Sequence, residues 1–304
     1  MTNKNAMVGE GVLPPLDGEG GPRETRDGWG GRSTPSDLAA RGHLPHRGGG
    51  GYLLSLLILL TAGAARAGET GCWLDHGAIV VPAAFGDIAG DFLLDAATPK
   101  SALHVTVANS FGVTSDTTRA DLRLAGQRLP AFEMKVADLD VQARPRTAGL
   151  AGVIGADALA GYVTEITTRP CRVKLSLRAG RPWPVRAELS WIGGAMAVKA
   201  AVSDGTTSRA GWFAVATGAP GVTVAQATLT RDPPKDSDPD WPPARLRALS
   251  VGGLLFEQVP AGAEADAPAG LAGAIGEEVW CGRPLRLDPR HGRLELGAKT
   301  PDSH

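Results

Sequence analysis

The sequence predicts an all-β protein built from two homologous halves, and three observations carry that prediction. A glycine-rich motif and its surroundings recur at a fixed distance. Each copy is a string of short strand-like runs punctuated by glycine and proline. The residues ahead of both copies differ from them in composition.

Residues 1–50 are dominated by Gly, Pro, Arg and Asp, with almost no apolar clustering. Such a stretch buries too little surface to offset the entropy of ordering it, which predicts a disordered leader. Residues 51–67 read differently. Leu53-Leu54-Ser55-Leu56-Leu57-Ile58-Leu59-Leu60 is a dense apolar run, with Arg41, His46 and Arg47 before it and Ala65-Arg66-Ala67 after it. That order of basic, apolar and small residues predicts a signal peptide cleaved near Ala67, and hence a periplasmic or secreted protein. The competing reading, an internal core helix, does not explain the A-x-A ending. The run is short for a membrane span. Glu69-Thr70-Gly71 before Cys72 is a poor lipid-attachment signal, so no stable membrane anchor is expected.

The chain carries 31 basic and 32 acidic residues, a net charge of −1, and 5% aromatics. Without a basic stripe or stacking platforms, nucleic acid is not an expected partner. Cys72, Cys171 and Cys281 show no metal-ligand spacing. In an oxidising compartment two of them can pair, and the three possible pairings stay open. His104 reads as a strand residue and His291 as a turn residue, each isolated from metal-like partners. Ser101 lacks a His/Asp arrangement, and the glycines at 48–51 follow no strand. No metal or cofactor is therefore expected.

The repeat is specific. Gly149-Leu150-Ala151-Gly152-Val153-Ile154-Gly155 recurs as Gly270-Leu271-Ala272-Gly273-Ala274-Ile275-Gly276, an offset of 270 − 149 = 121. The same offset maps Gly90 and Phe92 onto Gly211 and Phe213, Pro99 onto Pro220, Gly161 onto Gly282, Arg172 onto Arg293 and Leu175 onto Leu296. In the middle, Phe132-Glu133 aligns with Phe256-Glu257 at 124, which implies a small insertion that is later compensated. The Pro- and Asp-rich residues 230–243 read as a loop. Strand-like runs fall at 78–81, 91–94, 121–124, 132–136 and 171–177 in the first copy. In the second they fall at 195–202, 212–215, 246–251, 255–259, 285–287 and 293–296, with a hairpin turn over 288–292. Short helices are expected at 107–111 and 156–160. The halves are thus 68–180 and 191–304, with a linker over 181–190 that contains Pro182 and Pro184.

Two segments per half suggest chemistry. In the first, Phe92-Leu93-Leu94-Asp95-Ala96-Ala97-Thr98 is an apolar strand entering an acidic turn, followed later by Gly152-Val153-Ile154-Gly155-Ala156-Asp157-Ala158-Leu159. In the second, Phe213-Ala214-Val215-Ala216-Thr217-Gly218-Ala219 is followed by Gly273-Ala274-Ile275-Gly276. These segments resemble the retropepsin-like and pepsin-like aspartyl proteases, whose half-domains carry an apolar–apolar–Asp-Thr-Gly-Ala turn and an apolar-apolar-Gly strand leading into a short helix. The resemblance covers the chain beyond residue 67. It implies two acid-protease β-barrel halves with short helices, related by a pseudo-two-fold around a central cleft. It also implies one carboxylate from each half sharing a proton and activating water.

Both copies depart from that pattern. The first keeps Asp95 but has Ala96-Ala97 where Thr-Gly is expected. The second keeps Thr217-Gly218 but has Ala216 where the aspartate belongs. Asp95 therefore maps to a catalytic position and nothing maps to its partner. Losing one member of a coupled pair costs orders of magnitude in rate. The resemblance places Ala96, Ala97, Thr98, Thr217, Gly218, Ala219, Gly155 and Gly276 at the cleft. Asp157 reads as a helix cap, and Glu277 and Glu278 as first-turn helix acids. Flap hairpins are expected over 121–132 and 246–256. The expected function is an exported, catalytically impaired protease-like protein that binds extended peptide or a protein partner. The alternatives are a divergent active endopeptidase and a ligand-free structural domain. With both copies on one chain, a monomer is expected.

Overall fold

The computed structural model describes residues 68–144, 146–147, 149–225, 244–264 and 267–299. The expected leader, signal peptide and 230–243 loop lie outside the described residues. The first half comprises β1 (Gly68–Gly71), β2 (Trp73–Asp75), β3 (Ala78–Phe85), β4 (Ile88–Leu94), β5 (Ala102–His104), α1 (Val105–Ser110), β6 (Thr117–Leu124), β7 (Gln127–Ala137), α2 (Asp140–Ala143), β8 (Leu150–Ile154), α3 (Ala156–Leu159), β9 (Val163–Thr168) and β10 (Cys171–Ser176). The second comprises β11 (Val185–Ile192), β12 (Ala195–Ser203), β13 (Ser208–Ala216), β14 (Val222–Ala225), β15 (Ala244–Val251), β16 (Leu254–Glu264), β17 (Gly273–Gly276), α4 (Glu277–Trp280), β18 (Leu285–Asp288) and β19 (Arg293–Leu296).

The strands of the first half close into a ring, β3-β4-β8-β5-β7-β6, with β6 returning to β3. The second half repeats it as β12-β13-β17-β14-β16-β15, closed by β12–β15. Each ring holds two parallel pairs: β4 with β8 and β13 with β17 lead into the paired turns, and β5 with β7 and β14 with β16 lie beyond them. Strands covered on both faces read as unbroken apolar runs rather than alternating ones. Accordingly all five residues of β8 are buried, as is the end of β13 from Phe213 to Ala216. Phe92 and Phe213, equivalent positions, are both fully buried in one continuous core.

Apart from β2, which pairs with β3, the remaining strands form a shared layer in the order β1-β10-β9-β18-β19-β11. Its midline is symmetric residue by residue. Glu165 on β9 is registered opposite Arg286 on β18, and the two are equivalents at 286 − 165 = 121. Arg286 is buried and donates from Nε to Glu165 Oε1 at 3.0 Å and from Nη1 to Glu295 Oε2 at 2.6 Å. Trp183 stacks on its guanidinium at 3.9 Å. Cys72 and Cys171 are joined by a disulfide, which resolves the pairing that the sequence leaves open.

Three expectations are corrected. The linker is shorter than 181–190, because β11 begins at Val185, pairing with β19 and then with β12. The helix expected at 107–111 starts earlier, as α1 from Val105, with the His104 ring accepting the Thr106 N–H at its N-cap. The offset in the hairpins is 127 rather than 124. The two-residue turn Ala125-Gly126 corresponds to Gly252-Gly253, all four residues with positive φ. Such turns match the strand twist, so they pin the hairpin register. Ala131 and Gln258, each with positive φ within a strand, also match at 127. Phe132 is therefore the counterpart of Val259, and Phe256 that of Leu129.

Candidate functional site at the paired turns

In each half one parallel pair delivers a turn to the junction of the two rings. Leu94 is registered with Ile154, and the Asp95 N–H donates to the Ile154 carbonyl at 2.9 Å. Ala216 is registered with Gly276 in the same way. The turns are tied back by equivalent bonds, Ala156 N–H to Thr98 O at 2.8 Å and Glu277 N–H to Ala219 O at 2.9 Å. Gly155 and Gly276 sit behind these turns rather than at the cleft. A Cβ at Gly155 would lie 2.7 Å from Thr98 O, and one at Gly276 would strike the carbonyls of Gly221 and Ala219. Both glycines are needed for close backbone approach.

The turns face each other across the pseudo-two-fold. Ile79 N–H donates to Thr217 O, and its equivalent Met196 N–H donates to Ala96 O, each at 3.0 Å. Thr217, fully buried, accepts the Ala96 N–H on its hydroxyl at 3.1 Å and donates that hydroxyl to Leu94 O at 2.8 Å. Ala96, equally buried, has no hydroxyl to return the bond. Ala96 and Thr217 thus support the floor and do not line it. Position 95 meets the second turn there: Gly218 N–H donates to Asp95 Oδ1 at 3.2 Å, and a Cβ at Gly218 would lie 2.7 Å from the Asp95 Cβ.

The Asp95 carboxylate is well furnished with donors. Oδ1 also accepts the Ala97 N–H at 3.1 Å, and Oδ2 accepts the Thr98 hydroxyl at 2.6 Å. Burial pushes its pKa up, and Thr98, Ala97, Gly218 and the nearby Arg146 cation oppose that rise. At the equivalent position of the second turn Ala216, 6% exposed, offers a methyl group. A methyl can neither share a proton nor orient water.

Arg146 is the residue that sequence reasoning missed. Its Nη2 donates to Gly218 O at 3.0 Å and its Nη1 to Asp75 O at 2.9 Å. The neighbouring Thr147 bonds the buried Asp75 carboxylate through its N–H at 2.9 Å and its hydroxyl at 3.1 Å. The guanidinium therefore straps the first half to the second at the carbonyl beside Asp95. Its loop, with α2, is longer than the corresponding loop of the second half.

The other sequence candidates are placed as follows. Asp157 does not cap α3, whose N-cap is Gly155. Its Oδ1 instead accepts the N–H and hydroxyl of Ser101 at 3.0 and 2.7 Å, and the Ser101 Oγ accepts the Gly155 N–H at 2.9 Å. Ser101 thus has an aspartate partner in a structural knot. Glu277 and Glu278 begin α4, as expected; Glu277 is buried and Glu278 exposed. His104 is less isolated than the sequence suggests, since its Nε2 lies 3.2 Å from Asp140 Oδ1, with Asp138 nearby. Nδ1 accepts the Thr106 N–H, so the ring is held in place against Asp140. His291 lies in the β18–β19 turn, paired with Asp288 at 2.8 Å. Both flap candidates are hairpins, β6–β7 and β15–β16.

The two closed rings, the shared layer and the paired turns settle the architecture. The fold is all-β, two closed six-stranded rings joined by a shared layer. No family model and no curated protein matches the sequence. Among solved structures, the chain is similar to the crystal structure of an aspartic proteinase from Irpex lacteus, at 12% identity and a TM-score of 0.49. The match covers 77% of this chain and 98% of that one. Among the described residues no helix is long and apolar enough to cross a membrane.

Proposed function

We propose that this chain is an exported, aspartyl-protease-like protein that has lost peptide hydrolysis and binds an extended peptide or a protein partner at the junction of its halves. The observation that supports this reading best is that the turn whose Gly218 N–H bonds Asp95 carries Ala216 at the position equivalent to Asp95. Hydrolysis in this geometry needs one carboxylate to take a proton from water while the other gives one to the substrate carbonyl. Here a single carboxylate remains, with both oxygens already accepting hydrogen bonds. Binding needs no second acid. Backbone groups at the floor can pair with an extended ligand in the manner of strand addition. The Cys72–Cys171 disulfide fits an oxidising compartment, in keeping with export.

The test is reconstruction. The chain with Ala216→Asp, Ala96→Thr and Ala97→Gly is expected to cleave an unstructured protein substrate at acidic pH, where the unaltered chain does not. Cleavage by the unaltered chain that disappears in Asp95→Asn would overturn the proposal.

A further inference from the structure

Duplication gives an internal control: wherever the two halves differ at equivalent positions, the structure shows what the difference creates. In the first half, the strand after the acidic turn is tied to the helix of the second motif by side chains. Ser101 and Asp157 knot together there, and Lys100 pairs with Asp157 at 3.9 Å. In the second half the equivalents of Lys100, Ser101 and Asp157 are Gly221, Val222 and Glu278. The lysine side chain is gone, and the hydroxyl that held the carboxylate has become a methyl. From β7 to β16, Phe132 is replaced by the smaller Val259. A cavity of about 230 Å³ opens at this place.

Its walls are apolar, from Val222, Phe256, Val259, Pro260 and Val279, and Glu257 and Glu278 also line it, both exposed. Arg245 reaches the Gln258 carbonyl at 3.2 Å but does not line the cavity. Glu277, buried next to Glu278, does not line the cavity.

We infer that this cavity is a binding site for a lysine or arginine side chain presented by a peptide or protein partner. The apolar walls would take the alkyl stem, and the Glu257 and Glu278 carboxylates would take the cationic head. Lys100 in the first half is a partial precedent: an exposed basic side chain there pairs with the equivalent carboxylate, Asp157, at 3.9 Å. The site lies on the second half alone and does not depend on whether the Asp95 floor binds or cleaves anything.

The test uses the full chain with labelled valine methyls. Nα-acetyl-lysine N-methylamide and its arginine analogue are expected to shift the methyls of Val222, Val259 and Val279 saturably. The uncharged norleucine analogue should bind about tenfold more weakly or worse. Gly221→Lys, which restores the first half's arrangement, should abolish the response. A Cβ there meets nothing within 4 Å, so the variant has room to fold. Glu257→Gln with Glu278→Gln, both at exposed positions, should weaken the basic probes by about fivefold or more. Equal binding of norleucine and lysine probes would overturn the inference, as would an undiminished response in Gly221→Lys. Tighter binding of free butane-1,4-diamine than of capped lysine would also overturn it, in favour of a small amine.

Discussion

Thr217→Val is the most informative single substitution at the floor. The side chains have nearly the same shape, and Thr217 is fully buried, so no cavity opens. What disappears is a hydroxyl that accepts from Ala96 N–H at 3.1 Å and donates to Leu94 O at 2.8 Å. Two backbone groups at the junction of the halves then lose a partner. Each buried, unpaired polar group costs about 1–3 kcal/mol. Two of them give a loss of roughly 3 kcal/mol, taking the lower part of that range for partial relaxation. For a chain of this size that corresponds to a fall in Tm of roughly 6–12 °C. Denaturant and thermal unfolding of the chain, followed by circular dichroism, measure it. Thr217→Ser keeps the hydroxyl and should lose only about 1 kcal/mol, for the methyl. A Val variant within about 0.5 kcal/mol of the parent would refute the one-sided brace.

Other outcomes follow from the same geometry. Burial, reinforced by Glu278 and opposed by Arg169, raises Glu277 from an ordinary 4.5 to about 7. A raised carboxyl favours the folded state while it is protonated. Its contribution, on the order of 2 kcal/mol, is full below about 4.5 and lost as pH rises through about 7. Glu277→Gln should flatten that part of the stability profile; an unchanged slope between pH 4.5 and 8 would show that another group carries it. Arg146→Met removes a cation that opposes the rise of the Asp95 pKa, so the Asp95 carboxyl should titrate at still higher pH by carbon-detected NMR. Gly276→Ala should cost more than about 3 kcal/mol or prevent folding, because the new methyl strikes two carbonyls. Gly221→Ala, with open space at its Cβ, should stay within about 1 kcal/mol.

The parts of the structure that were legible in the sequence are those that duplication writes twice. The glycine motif at 149–155 and 270–276 fixed the offset of the paired turns, and the offset alone made Ala216 the partner of Asp95. The hairpins were less legible. Phe132-Glu133 and Phe256-Glu257 look alike as letters, yet backbone conformation at Ala125-Gly126 and Gly252-Gly253 shifts the match by three residues. Side-chain identity is a weak guide to register where a hairpin is half exposed. Arg146 gave no signal, because it acts through backbone carbonyls far away in sequence. Its loop also has no full equivalent to compare with. The second-half cavity was invisible for a related reason: a missing lysine and a missing hydroxyl matter only once the groups around them are in place.

The Glu165–Arg286 pair has a consequence for how such a chain can exist at all. If a first half were to associate with a second copy of itself across the same axis, each part-buried Glu165 would confront another, with only Lys174 of its own half, 3.4 Å away, to neutralise it. Like charges so placed are costly. By carrying opposite charges at a position that symmetry would force to be identical, the fused chain favours pairing with its own other half over pairing with its twin.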